Sequence, residues 1–185
     1  LSNATYEDVT VNLDVTDIDT QSGDYNLASQ NITITAGETS ATTSISAVDD
    51  GLFEGDEQVQ IDISGVSGGG AVEETQQSEV ITITDEQTAP TVTLSASPTS
   101  IAENTGSSTL TATLSGATDN DITIDLAVTG GTASSGDYTL PASISITAGE
   151  TTGTASLSAT NDDIYEGDET LTVEISDVPE GFTIG

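Results

Sequence analysis

Long stretches of this chain are written twice. Leu1-Ser-Asn-Ala-Thr5 returns as Leu114-Ser-Gly-Ala-Thr118, and Ser22-Gly-Asp-Tyr25 returns as Ser135-Gly-Asp-Tyr138, each 113 residues on. After a single deletion the spacing becomes 112. Ile32-Thr-Ile-Thr-Ala-Gly-Glu-Thr39 then matches Ile144-Ser-Ile-Thr-Ala-Gly-Glu-Thr151, and Phe53-Glu-Gly-Asp-Glu57 matches Tyr165-Glu-Gly-Asp-Glu169. Solenoids repeat every 20 to 50 residues or so. A period this long is that of a whole domain, so each copy should own a core. Gln87-Thr-Ala-Pro90 is the natural junction and divides the chain into units at 1–88 and 89–185. Residues 90–113 have no counterpart ahead of Leu1, and Val80–Asp85 has none after Gly185. The first copy is therefore expected to lack its opening strands and the second its closing one.

The periodicity within each copy is two. Val9, Val11, Leu13 and Val15 point one way, as do Ile122, Ile124, Leu126 and Val128, with Thr, Asp and Asn mostly between them. Further strands are predicted at 29–35, 41–48, 56–64 and 78–84, and in the second copy at 91–96, 107–115, 142–147, 153–160 and 169–176. No amphipathic helix of useful length appears. Many short strands with one wet face predict an all-β chain of two tandem antiparallel sandwiches, immunoglobulin-like in architecture. The few aromatics, paired as Tyr25 with Tyr138 and Phe53 with Tyr165, are expected to be packing residues.

Charge narrows the function. The chain has 32 Asp and Glu and no Lys, Arg or His, a formal net charge of -32. No carboxylate can be relieved by a cationic side chain, so only water, N–H groups or external cations are left to answer it. Nucleic acid is excluded as a partner, because phosphate binding draws on Lys and Arg, and anionic membrane surfaces are disfavoured alike. No apolar run is long enough to insert into a bilayer. Without Cys there is neither a disulfide framework nor a thiolate metal site. Catalysis would have to rest on carboxylates alone, with no base or nucleophile from His, Cys or Lys and no Trp to carry a sugar, so an enzyme is not expected.

The acids are clustered. Asp162, Asp163, Glu166, Asp168 and Glu169 crowd one segment between predicted strands, and Asp49-Asp-Gly-Leu-Phe-Glu-Gly-Asp-Glu57 repeats it in the first copy. Such crowding raises carboxylate pKa values and drives the loop open, a penalty that a divalent ion reverses. Ca²⁺ takes six to eight oxygen ligands or so at roughly 2.3–2.6 Å, which flexible acidic loops supply well.

These segments carry a resemblance. Ala102-Glu-Asn-Thr-Gly106, Gly131-Thr-Ala-Ser-Ser-Gly-Asp-Tyr138, Ile144-Ser-Ile-Thr-Ala-Gly-Glu-Thr151 and Asp162-Asp-Ile-Tyr-Glu-Gly-Asp-Glu169, the last three with first-copy equivalents, resemble the Calx-beta domains of large bacterial surface proteins. The resemblance implies two tandem Calx-beta sandwiches whose acids converge at one end. By position the second copy would offer Glu103, Asp137, Asp162, Glu166 and Glu169, with a carbonyl from Ile164. The first would offer Asp24, Asp50, Glu54, Glu57, Asp85 and Glu86, with a carbonyl from Leu52 and a further acid at Asp49, where the second copy has the neutral Asn161.

The function expected on this reading is a calcium-binding structural or adhesion repeat, secreted or on a bacterial cell surface. Calcium would order the loops and stiffen the junction with neighbouring repeats of the same chain. Two alternatives stand beside it: a calcium-dependent module for a carbohydrate or protein ligand at the cell surface, and a calcium-sensing regulatory module.

Overall fold

The computed structural model describes residues 1–21 and 23–185, so Ser22 of the repeated Ser-Gly-Asp-Tyr segment lies outside the described residues. Every regular element described is a strand. The chain divides into two compact units: Leu1–Asp50 with Gly55–Glu86, and Gly51–Glu54 with Gln87–Gly185.

The first unit contains β1 (Val9–Asp17), β2 (Tyr25–Leu27), β3 (Asn31–Ile34), β4 (Ile45–Ala47), β5 (Glu57–Ser67) and β6 (Ser78–Ile83). One sheet has the order β3-β1-β5-β6, and β2 pairs with β4 in a second, all antiparallel. Val9 and Val59 are fully buried and Ile34 nearly so. They share the inward face that a period of two assigns them.

The second unit contains β7 (Thr91–Ser97), β8 (Ser107–Leu114), β9 (Ile122–Gly131), β10 (Tyr138–Thr139), β11 (Ser143–Ile146), β12 (Thr152–Ala159), β13 (Leu171–Asp177) and β14 (Thr183–Ile184). Its sheets run β10-β12-β8-β7-β14 and β11-β9-β13. Pairing is antiparallel except for β14, which lies parallel to β7. Ile122, Ile124 and Leu126 alternate inward along β9 and meet Ile144 and Ile146 of β11 and Val92, Leu110, Ala112 and Leu114 from the other sheet. Val128, expected on the same face, is 38% exposed, beyond the point where Ile124 and Leu126 hold the core and close to the register shift opposite Thr172 and Val173.

The copies differ most at β4 and β12, although their sequences correspond. β12 is held over Thr152–Ser158 by β8, whereas β4 pairs with β2 alone, over three residues, and the strand predicted at 41–48 shortens to Ile45–Ala47. The sequence adds a second reason. Gly153 of β12 lies so close to β11 that a Cβ there would run into the Ser145 carbonyl oxygen and stand 2.9 Å from Ile144 Cγ2 and Ile146 Cγ1. The first copy has Ala41 at this position, so its chain cannot press equally close.

Gly153→Ala should therefore destabilise the second unit by about 1–3 kcal/mol, the usual cost of overpacking. A lower urea midpoint for the full-length chain would show it. Gly136→Ala, where the nearest atom to a new Cβ is 3.7 Å away, should leave the midpoint nearly unchanged.

Candidate metal centre

In each unit an aspartate closes a tight turn ahead of a short strand. The Ser134 N–H donates to Asp137 Oδ2 at 2.6 Å, and the Asp137 N–H donates to the Ser134 carbonyl at 3.2 Å. Asp24 does the same with Gln21: the Gln21 N–H donates to Asp24 Oδ2, and the Asp24 N–H donates to the Gln21 carbonyl. The following loops correspond too. Val48 N–H donates to the Asp24 carbonyl at 2.7 Å and Thr160 N–H to the Asp137 carbonyl at 2.8 Å, which brings the acidic segments to these turns.

The acidic segments share a backbone shape. Gly55 and Gly167 have φ of 83° and 84°, and Gly51 with φ 81° is matched by Asp163 with φ 63°. The left-handed region favours Gly but admits Asp, whose short side chain tolerates it. Asp162 Oδ1 accepts the Ile164 N–H at 2.9 Å, and Asp163 Oδ1 accepts from Asn161 Nδ2 at 3.0 Å.

All five carboxylates expected in the second copy come together. Glu103, Asp162 and Glu166 offer oxygens within 4.8 Å of one another, as do Asp137, Glu166 and Glu169, so Glu166 belongs to both groups. Asp137 is half-buried and the others are exposed. Repulsion from Asp137, then partial desolvation and repulsion from Asp162, Glu169 and Glu103, raises the Glu166 pKa. Desolvation first and then Asp137 raise that of Glu169. The hydrogen bonds from Ser134 hold Asp137 below its ordinary value.

In the first unit, Asp24 and Glu57 offer carboxylate oxygens within 4.8 Å of each other. Asp24 and Glu57 are each only 8% exposed. Two carboxylates so enclosed, with no cationic side chain in the chain, suit a bound cation far better than they suit each other. The donors are all hard oxygens, the ligand chemistry of Ca²⁺. Asp85 is tied to the same segment by another route: its Oδ2 accepts the Gly55 N–H at 2.7 Å, and its own N–H donates to Asp56 Oδ1 at 3.1 Å. Asp49, Asp50 and Glu86 are exposed and stand outside the close group, as does half-buried Leu52. Ile164 is 60% exposed.

Sequence reasoning missed Asp17 and Asp19, which look like surface acids in a polar stretch. Asp17 Oδ1 accepts the Tyr25 hydroxyl at 2.7 Å and the Thr20 hydroxyl at 3.2 Å, and Asp19 Oδ1 accepts the Gln58 N–H. Asp56 was missed as well. Tyr165 departs from its expected packing role: it is 97% exposed, because the acidic segment carries it outward, whereas Phe53 packs edge to face against Phe182 in the second unit at 5.8 Å.

Comparison with known families distinguishes the two halves. Residues 88–183 match the LapA domain. The chain belongs to the LapA domain family. Residues 2–87, ahead of the LapA domain, match the Calx-beta domain, so the expected tandem pair of Calx-beta domains is corrected to one Calx-beta domain followed by one LapA domain. The shared Gly-Asp-Tyr, Ala-Gly-Glu-Thr and Glu-Gly-Asp-Glu segments encode turns that both domains use, which is why short motifs did not separate them. Neither matched domain is catalytic, and calcium binding is typical of the Calx-beta family. No curated protein matches the chain.

Tyr25 gives a direct check on the first site's surroundings. The hydrogen bond to Asp17, then desolvation and the charges of Asp17 and Asp24, push its pKa up to about 12 from 10.0. Because the folded value lies above the unfolded one, this contribution to stability is complete below pH 10 and is lost as the pH rises through about 12. Ultraviolet titration in chelator should find one tyrosine ionising near pH 12, and Asp17→Asn should return it toward the ordinary value.

Proposed function

We propose that this chain is a calcium-binding structural repeat of an adhesin-type protein on the bacterial cell surface or outside the cell, in which Ca²⁺ orders the acidic segments and stiffens the junction between repeats. The observation that carries this reading is the convergence of Glu103, Asp137, Asp162, Glu166 and Glu169 into two groups sharing one carboxylate, in a chain without a single cationic side chain. The residues that would hold the ion are those five in the second unit and Asp24 and Glu57 in the first, with Asp49, Asp50, Glu54, Asp85 and Glu86 and the carbonyls of Leu52 and Ile164 completing the shells. Calcium supplies the positive charge that lets the acids remain ionised together. The protein's part is to hold them: the turns at Ser134 and Gln21 orient the aspartates, and the left-handed residues bend the loop back on itself.

The same arrangement supports a mechanical role. Asp85 reaches Gly55 and Asp56 just before the chain passes into the LapA domain at residue 88. An ion that orders the 49–57 segment therefore restrains the residues leading into the next repeat. A second reading, calcium-bridged recognition of a glycan, draws on the 97% exposure of Tyr165 beside the acids. Glycan binding abolished by chelator would favour it.

Binding to the folded state must raise stability, by about 2.7 kcal/mol when the ion is at a hundred times its Kd. Calorimetry and melting curves should accordingly show saturable calcium binding with a rise in Tm. Glu166→Gln, which removes charge from both groups, should weaken binding to the second unit about tenfold or more, whereas Glu174→Gln on exposed strand β13 should not. Unchanged melting at millimolar calcium would defeat the proposal. For the mechanical part, small-angle scattering should show a narrower spread of dimensions in calcium than in chelator.

A further inference from the structure

Of all the Asp and Asn residues in the chain, only Asp50 is followed by glycine. An aspartyl side chain can close on the amide nitrogen of the next residue to give a succinimide ring. Two things ordinarily stand in the way. A side chain on the next residue crowds the ring, and a strand's ladder holds the backbone extended with its N–H groups in hydrogen bonds. Asp14, Asp62 and Asp125 meet both obstacles: they lie within β1, β5 and β9 and precede Val15, Ile63 and Leu126.

Asp50 meets neither. It lies between β4 and β5, outside every strand, and both it and Gly51 are exposed. Gly51 has φ 81°, and a Cβ placed on it would find nothing within 4 Å, so the space that a closing ring needs is open. The repeat supplies the contrast. At the equivalent place the second copy has Asp162 followed by Asp163, which makes the same left-handed bend at φ 63° but carries a Cβ. There Asp162 Oδ1 accepts the Ile164 N–H at 2.9 Å, which holds the carboxylate on the residue beyond.

We propose that Asp50 is a modification site at which isoaspartate forms without an enzyme. The Gly51 nitrogen attacks Asp50 Cγ, a C–N bond forms, the Cγ–OH bond breaks, and water leaves with the amide proton. Water then opens the ring. Addition at Cγ restores aspartate, whereas addition at the main-chain carbonyl breaks its bond to the Gly51 nitrogen and routes the chain through Cγ. The former main-chain carbonyl is then the free carboxylate. The product has an unchanged composition and one more methylene in its backbone, inside the segment that Gly51 and Gly55 bend through their left-handed φ. Restraint of the reaction rests on the proposed calcium binding: an ion held by Asp50 fixes its side chain and slows ring closure.

The test ages the full-length chain in chelator and in calcium. A glutamate-specific protease releases the peptide from Thr39 to Glu54, and electron-transfer fragmentation distinguishes the two isomers within it. In chelator, isoaspartate should accumulate severalfold faster at Asp50 than at Asp162, through an intermediate lighter by one water. Gly51→Asp, which installs the residue that the second copy carries in this bend, and Asp50→Glu, whose longer side chain disfavours the ring, should each abolish it. Absence of isoaspartate at Asp50 in chelator, equal accumulation at Asp162, or undiminished accumulation in Gly51→Asp overturns the proposal. Slower accumulation in calcium supports the restraint, and equal rates in a chain that calorimetry shows to be loaded overturn it. A chain that takes up no calcium fails the calcium reading alone, because the result in chelator decides the modification by itself.

Discussion

Every negative charge in this molecule has to be answered by something other than a basic side chain. In most proteins an acidic cluster is settled by an arginine or a lysine nearby. Here the answers come from backbone N–H groups, as at Asp24 and Asp137, and from hydroxyls, as at Asp17. Where these run out, carboxylates are left facing one another, and the pKa values of Glu166 and Glu169 rise. The turns, the left-handed residues and the placement of Asp85 all follow from this constraint. They put donors where single acids can be satisfied and gather the remaining acids into places that an external cation can satisfy.

The repeat made much of the fold legible. Alternation along 9–15 and 122–128 marks the two central strands, and the motif spacing marks the acidic segments. Short strands were harder to see. Tyr25–Leu27 and Tyr138–Thr139 hold two or three residues each, too few for a periodicity, and exist because a neighbouring strand pairs with them. The length of β4 was illegible for a similar reason: strand extent depends on a partner and on an inter-sheet distance, and the latter turns on Gly153 against Ala41. Family membership was legible only in part, since motifs that encode turns are shared by domains with different names.

At the site, the second-copy acids were readable because they lie on loops whose sequence repeats. The structural roles of Asp17, Asp19 and Asp56 were not, because nothing in a sequence of scattered acids distinguishes one that accepts a tyrosine hydroxyl from one that faces water. Only the register of β1 against β5 brings Asp19 to the Gln58 N–H.

The sharing of Glu166 has a further meaning. A carboxylate has two oxygens on one rigid plane, and Glu166 contributes to both acidic groups. Turning it changes both at once. A change at that one side chain therefore reaches Glu103 and Asp137 together, although they lie far apart along the chain.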